Sequence, residues 1–444
     1  MAGAKRIGFI GYGLRAHTMM KAFWQVEAGV EVAAVADPRW EQIRRERAGD
    51  ACFAGAAYME SAEELLSMGG LDGVLVCTRC STHAKYAAMA IRAGLPLFLE
   101  KPVCVSREQL AMLAAAAAGR PDRTVVSFPL RFTAIARQMK RLLDSGALGR
   151  ITLVQAANNV PYGGVYYHSW YRDDAETGGL FLQKATHDID CILHMLGERP
   201  VEAAAMAAKL YFRGDRPAGL RCAACGERRE CVESDYFVSK RMREDVTGEM
   251  CCFAEDTGNE DTAALLLRSE SGAIVAYSQS FVVKKAAARR GARFVGTEGS
   301  AEFDFYTGEL RHDSYREHQT SLHRITPPAA NHWGGDEELA LAFMAVLDGK
   351  PSAAPLLDGL ASAACCLAAR ESARTGAFAP VGLEALGRAG AGWREPAPDA
   401  PAALPIAPAA PATGVAGLAL GSVAAASPVA PEAQAGEEGG ERDG

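Results

Sequence analysis

A chain of 444 residues is too long for one small core and allows two domains with appendages, each burying enough apolar surface to offset its chain entropy. Its 47 basic and 54 acidic residues leave a formal net charge of −7, so no global positive field favours nucleic acid or an anionic membrane, and neither is expected as a partner. No apolar run reaches the length of about 18 residues that a membrane helix needs, because the Ala-rich stretch Ala409–Ala426 is broken by Pro411 and Gly414.

Residues Met1–Lys5 run straight into an apolar stretch without the core and cleavage site of a signal peptide, so a cytoplasmic location is expected. From Arg6 to about Phe128, short apolar runs alternate with helical stretches: Ile7–Ile10, Val32–Ala36, Val74–Cys77, Leu97–Leu99 and Val125–Phe128. This alternation predicts an α/β fold whose first domain, 1–128, is a doubly wound parallel Rossmann sheet. The first run enters Gly11-Tyr12-Gly13-Leu14-Arg15-Ala16, ahead of a helical stretch reaching about Glu27. Gly11 permits the tight turn, Gly13 lets the backbone approach a pyrophosphate, and Ala16 allows close helix-to-strand packing; Leu14 and Arg15 complete this cofactor-binding loop. The second run ends at Asp37, where a carboxylate would accept from ribose hydroxyls and repel a 2′-phosphate. NAD is therefore the expected cofactor, and Arg39 leaves NADP open. A glycine turn that binds no nucleotide is the plain alternative.

The run Leu97–Leu99 ends in Glu100-Lys101-Pro102, which sets two charged side chains at the carboxyl edge of a parallel sheet, where such sheets bind ligands. A partly desolvated lysine beside a cationic nicotinamide has a lowered pKa and can take a hydroxyl proton as hydride leaves the carbon. A salt-bridged surface Glu–Lys pair is the alternative here. Beyond Gly149, the runs Ile151–Ala157, Ala263–Leu267, Ile274–Ser280 and Phe294–Phe305 lack regular intervening helices. They predict a second α/β domain, 129–394, built on a large, mostly antiparallel open sheet.

Within that domain lies a Cys-rich insertion, 211–258. Cys222-Ala223-Ala224-Cys225 is followed by Cys231 and then by the pair Cys251-Cys252. Cys-x-x-Cys puts two sulfurs on one tight turn and four thiolates satisfy tetrahedral zinc, so a closed structural site is expected, with Cys251 preferred over Cys252 as the fourth ligand. Reduced cysteines in an exposed loop, or an iron-sulfur cluster, remain open. Apolar residues at helical spacing, among them Leu339, Phe343 and Leu347, predict packing helices within 336–374. From Glu395 to Gly444 the composition is Ala, Pro and Gly with an acidic end, and a disordered tail is expected.

Taken together, Gly-x-Gly-x-x-Ala, Asp37-Pro38, Thr78 with His83, Glu100-Lys101-Pro102, and Gly178-Gly179 followed by Lys184-Ala185-Thr186-His187-Asp188-Ile189-Asp190 resemble the glucose-fructose oxidoreductase and inositol dehydrogenase family, written Gfo/Idh/MocA. The likeness covers about residues 5 to 390, and some subgroups share a Cys-rich insertion. It implies a Rossmann domain followed by an α/β domain with an open sheet, and homo-oligomers that associate through that sheet. It also implies that Lys101 and His187 face the reacting carbinol, that Thr78, His83 and Glu100 lie on the cofactor side, and that His332 and Tyr166 lie on the substrate side. Asp190, three positions after His187, would share a helical face with it and orient substrate or cofactor. One departure stands out: Gln183 occupies the place where many relatives carry aspartate, and glutamine cannot titrate. Lys184 beside it is a candidate substrate ligand or second proton carrier.

The leading expectation is reversible hydride transfer between nicotinamide and a secondary alcohol of a sugar, cyclitol or related polyol, with Asn158, Tyr162, Tyr166 and His168 as further hydroxyl-recognising candidates. A glycosidase that oxidises its sugar transiently with tightly held NAD is the alternative that Gln183 and Lys184 keep open. A non-catalytic NAD-binding sensor or scaffold is a third.

Overall fold

The apolar runs of the N-terminal half form six short strands: β1 (Lys5–Ile10), β2 (Val30–Ala36), β3 (Ala57–Met59), β4 (Gly73–Val76), β5 (Leu97–Leu99) and β6 (Thr124–Val126). All pairs are parallel and the order is β3-β2-β1-β4-β5-β6, with helices between consecutive strands. Covered on both faces, these strands are apolar almost throughout, and all four residues of β4 are buried. The order reverses between β1 and β4, which opens a crevice beyond their carboxyl ends. The structure is a computed structural model and describes residues 4–242, 248–326, 328 and 331–383; the expected tail, 395–444, lies outside the described residues.

The second sheet has nine strands in the order β14-β13-β12-β11-β7-β10-β9-β8-β15. These are β7 (Ile151–Asn159), β8 (Pro200–Ala208), β9 (Thr262–Ser269), β10 (Ile274–Ser280), β11 (Arg289–Gly296), β12 (Gly299–Asp304), β13 (Glu309–Ser314), β14 (Gln319–Arg324) and β15 (Ala379–Pro380). Only β7 and β10 run parallel; every other pair is antiparallel. Alternate residues of β9, β10 and β11 are buried, so one face of the sheet is covered. The helices Thr186–Leu196 and Leu356–Thr375 contribute to the same core cluster as that face, and small residues let the second approach closely: a Cβ on Gly359 would lie 2.7 Å from Val103 Cγ1. The other face leaves Met206, Leu266 and Ile274 exposed.

Both packing helices expected within 336–374 are present, at Gly335–Leu347 and Leu356–Thr375. The first does not stay with the second sheet. Leu339 and Phe343 join the Rossmann core, where Phe343 meets Phe98 edge-on at 5.8 Å. This return of the chain fastens the two sheets together and brings the loop before the helix to the crevice. Among the described residues, no helix is long and apolar enough to cross a membrane.

Candidate active site

The turn after β1 is fixed by what surrounds Gly11. Its φ is +81°, and a Cβ there would lie 2.8 Å from Thr78 Cγ2 and 2.9 Å from the Cys77 carbonyl, so only glycine fits. Gly13 caps the helix Leu14–Gln25 without a side-chain hydrogen bond, and a Cβ on it would meet no atom within 4 Å. The first amides of that helix thus face an open cradle, which suits an anion. Ala16 is fully buried against the sheet, whereas Leu14 is exposed on the crevice side. At the end of β2, Asp37 Oδ2 accepts from the Tyr12 amide at 2.8 Å and Oδ1 from the Arg39 amide at 2.8 Å, which aims the carboxylate along the crevice.

Three residues of the expected cofactor set, Arg15, Glu100 and His83, are engaged elsewhere. Arg15 points inward: its Nε donates to Glu100 Oε1 at 3.0 Å, and its Nη1 and Nη2 donate to Asp336 at 3.3 and 3.0 Å. Both carboxylates are almost wholly buried, so Arg15 and Glu100 form a charge-assisted clasp between the turn, the Glu100-Lys101-Pro102 loop and the helix Gly335–Leu347. His83 lies with Nδ1 2.8 Å from the Pro102 carbonyl and Nε2 3.2 Å from the Thr78 carbonyl, so it braces the backbone on both sides.

Lys101, freed from its neighbour by that clasp, donates from Nζ to the Gln183 carbonyl at 2.7 Å. Burial pulls its pKa down to about 8; Lys184 and Arg15 add to the pull while Cys80 and Glu100 oppose it. The carbonyl is presented by a π-turn, Phe181–Ala185, which runs into the helix Thr186–Leu196 after Gly178 and Gly179, at φ +70° and +82°. Such a bulge inserts a residue and re-aims the side chains around it. It gives the position of Gln183 a use that needs no titratable side chain.

His187 follows on the helix, its ring 6.0 Å from that of His332 and 6.4 Å from that of Phe128. Its Nδ1 is buried without a partner. Burial, then the charges of Lys101 and Arg290, hold its pKa well below the ordinary value, so the imidazole is neutral. His332 donates from Nδ1 to Asp336 at 2.9 Å from a left-handed backbone, φ +47°. The neighbouring Lys184 is buried and donates to the Tyr162 hydroxyl at 2.6 Å. Tyr166 packs under Tyr162, with rings 6.3 Å apart, in an aromatic cluster with Phe281.

Asp190 stands apart from this group. Its carboxylate takes a buried, bidentate ion pair from Arg131, which also reaches the partly exposed Asp358 at 2.7 Å. Asp190 is thus engaged in holding the helix to the segment after β6, which leaves it no free oxygen for the substrate role expected of it. His168 is also elsewhere: its Nδ1 lies 2.6 Å from the Met250 carbonyl, beside the Cys-rich segment.

Sequence reasoning named Asn158 but missed Arg290 and Gln279, which flank it in the second sheet. Arg290 on β11 pairs across the sheet with Asn158 on β7, which pairs with Gln279 on β10. Asp188 lies over this row and accepts from Asn158 Nδ2 at 2.7 Å, Tyr277 Oη at 3.0 Å and Arg290 Nε at 2.6 Å. A signal did exist, since Arg290 falls on the inward-facing register of a strand whose other inward residues are Ala292, Phe294 and Gly296.

The five clustered cysteines gather around one small cavity of about 20 Å³, together with His168 and Glu233. The Cys222 amide donates to the Glu249 carbonyl and the Cys251 amide to the Leu220 carbonyl, both at 2.7 Å, which brings the two Cys segments together. Cys252 is deeper, inside the cluster that holds Tyr167 and Phe212. Among the described residues, no three His, Cys, Asp or Glu side chains stand in a geometry that could hold a metal ion.

Comparisons with known proteins agree with this layout. A family model described as an oxidoreductase family with an NAD-binding Rossmann fold matches residues 5–128, and one described as the GFO/IDH/MocA C-terminal domain matches residues 136–302. The chain is 23% identical over 307 residues to the putative oxidoreductase YteT of Bacillus subtilis, covering 62% of this chain and 72% of that protein. It is 30% identical over 200 residues to inositol 2-dehydrogenase 3 of Saccharopolyspora erythraea, covering 45% of this chain and 55% of that protein. Among solved structures, levoglucosan dehydrogenase in complex with NADH shares the fold, with a TM-score of 0.65 at 18% identity over 85% of this chain and 99% of that one.

Proposed function

The chain belongs to the GFO/IDH/MocA family of NAD-binding oxidoreductases, and from that premise we propose that Lys101 and His187 handle the hydroxyl proton while a hydride passes between nicotinamide and a secondary alcohol of a sugar, cyclitol or related polyol. The observation that carries the reading is the hydrogen bond from Lys101 Nζ to the Gln183 carbonyl at 2.7 Å, which brings the lysine to the turn that leads into His187; burial lowers the lysine to about 8 and holds the histidine well below its ordinary value. The names of inositol 2-dehydrogenase 3 and levoglucosan dehydrogenase support the substrate class.

The crevice fits a dinucleotide. Gly11, Gly13, Leu14 and Ala16 would carry the pyrophosphate over the uncapped helix end, Asp37 and Arg39 would meet the adenosine ribose, and Thr78 would lie beside the nicotinamide half. When bound, the nicotinamide supplies the hydride acceptor or donor. Lys101 Nζ, steadied by the Gln183 carbonyl, exchanges the proton with the substrate oxygen, and neutral His187 orients or relays it. Lys184, Tyr166 and His332 line the substrate side, with Arg15, Glu100 and His83 positioning the loop that bears Lys101.

What speaks for a structural zinc on Cys222, Cys225, Cys231 and Cys251 is that all four line one small cavity, although among the described residues no three side chains stand in ligating geometry. Four sulfurs leave no open position, so the metal would serve folding and not catalysis. All described cysteines are unpaired thiols, which fits the reducing cytoplasm. The exposed residues Met206, Leu266 and Ile274 on the open face of the second sheet support a homo-oligomer joined there.

The deciding experiment is to incubate the purified protein with NAD, then NADP, and a panel of sugars, cyclitols and glycosides, recording reduced nicotinamide and released products. Stoichiometric reduction is expected. Glycoside cleavage without net reduction would instead establish the redox-assisted glycosidase, to which the separate Lys184–Tyr162 pair offers a second site of proton handling. Binding of cofactor without any turnover would leave the sensor reading.

A further inference from the structure

The charge around the substrate side is unbalanced. Lys101, Lys184 and Arg290 all stand near enough to His187 to act on its charge, and Asp188 is bonded to the last of them. Asp188 is already engaged by three donors, and Arg290 is the one charged group among them. Glu100 and Asp336 both bond to Arg15, which balances one of their two charges, and Gln183, one residue before Lys184, brings no charge at all.

The donors are also left over. Arg290 is 3% exposed and its Nη2 has no partner; Gln279, two places along the same cross-strand row, is 2% exposed and its Nε2 has none. Lys184 has three N–H donors and the Tyr162 hydroxyl occupies one of them. Buried cationic donors left unpaired are costly, and in native proteins they find a partner in a ligand, an ion or water.

We propose that the substrate carries a carboxylate, so that the protein acts on an acidic sugar or polyol acid, with Lys184 and Arg290 as the ligands of that group. This rests on the hydride-transfer reading and names its substrate class. The nicotinium charge of the oxidised cofactor adds to the positive field and favours the same choice. Gln279 supplies the neutral third donor. With Asp188 set against Arg290, Lys184 and Arg290 leave one net positive charge, which matches the single charge of a carboxylate and falls short of a phosphate dianion.

The test compares D-glucuronate and D-galacturonate with D-glucose, D-galactose and D-glucose 6-phosphate. Initial rates with NAD are paired with calorimetric titration of each sugar into the NADH-loaded full-length protein. The uronates should exceed their parent sugars in kcat/KM and in affinity on the order of tenfold, the usual scale of a charge-assisted hydrogen bond. In Lys184→Met and Arg290→Lys, each checked for folding by its thermal melt, that ratio should collapse toward unity. Equal affinity for acid and neutral sugars overturns the anion subsite, whether or not NAD is reduced. Tighter binding of glucose 6-phosphate than of either uronate also overturns the carboxylate. Selective binding of a uronate with no reduction of NAD upholds the subsite and refutes the hydride transfer on which its substrate role rests.

Discussion

Replacing Lys101 by methionine removes the ammonium and keeps most of the apolar stem, so it isolates the proton carrier from the packing around it. Burial pulls this lysine from 10.5 to about 8, against the opposing pull of Cys80 and Glu100. At pH 7 such a group is neutral in roughly one molecule in ten, compared with about one in three thousand at the ordinary value, a gain of about 300-fold in competent base. In the oxidation direction the base must be neutral. The log of kcat/KM should therefore rise with pH up to about 8 and level off above it. In the reduction direction the ammonium is the acid, and the rate should fall above the same point. Lys101→Met should abolish that limb and lower kcat by about 10²- to 10⁴-fold, the range for one positioned acid or base.

Stability should move the other way. The folded pKa lies below the unfolded one, so the burial penalty on the ammonium is fully present below about pH 8 and is relieved as pH rises toward 10.5. The methionine variant should gain on the order of 2 kcal/mol in urea unfolding at pH 7 and little at pH 10. Initial rates of nicotinamide reduction between pH 6 and 10, with saturating cofactor, provide the assay. A variant that keeps the limb near pH 8, or loses less than about threefold in rate, refutes the assignment.

Gly11→Ala places a Cβ 2.8 Å from Thr78 at a positive φ and should weaken NADH binding by tenfold or more on the order-of-magnitude scale, read by fluorescence titration; unchanged affinity would remove Gly11 from the cofactor turn. Asp190→Ala strips one carboxylate from buried Arg131 and should cost about 3 kcal/mol in urea unfolding, while a loss under about 1 kcal/mol would mean that the pair does not hold the helix. Gln183→Asp adds a carboxylate beside Lys101 and Lys184 and should raise the Lys101 pKa, moving the rate limb by about one pH unit to higher pH; an unmoved limb would mean that side chain 183 does not reach the lysines. Chelation should release zinc stoichiometric with the chain and lower Tm, and purified protein with neither zinc nor iron would withdraw the metal.

The Rossmann half was legible because its signals are local. A buried parallel strand is a continuous apolar run, and Gly11 to Ala16 and Asp37 lie at the ends of two such runs. β3 escaped because Ala57-Tyr58-Met59 is three residues long and carries no run of its own. The helix Gly335–Leu347 was visible as a helix, but periodicity reports that one face is apolar and not which core receives it; Phe343 meeting Phe98 is a contact between positions 245 apart in sequence.

The site divides along the same line. Lys101 and His187 stand in motifs whose spacing carries their chemistry. Arg15 and Asp190 stand in motifs too, but a carboxylate or guanidinium inside a protein goes to the strongest unpaired charge within reach, and that partner comes from elsewhere in the chain: Asp336 for Arg15, Arg131 for Asp190. The same rule hides Arg290, whose role follows from standing beside Asn158 and beneath Asp188. Gln183 shows the converse. As a sequence position it is the loss of an acid; in the fold, the π-turn hands its backbone carbonyl to Lys101, so the site keeps a steadied lysine and gives up a negative charge. That exchange leaves Lys184 without an ion-pair partner among the described residues, while Arg290 keeps Asp188 but has an unpaired Nη2, which is why the missing acid is best sought on the substrate.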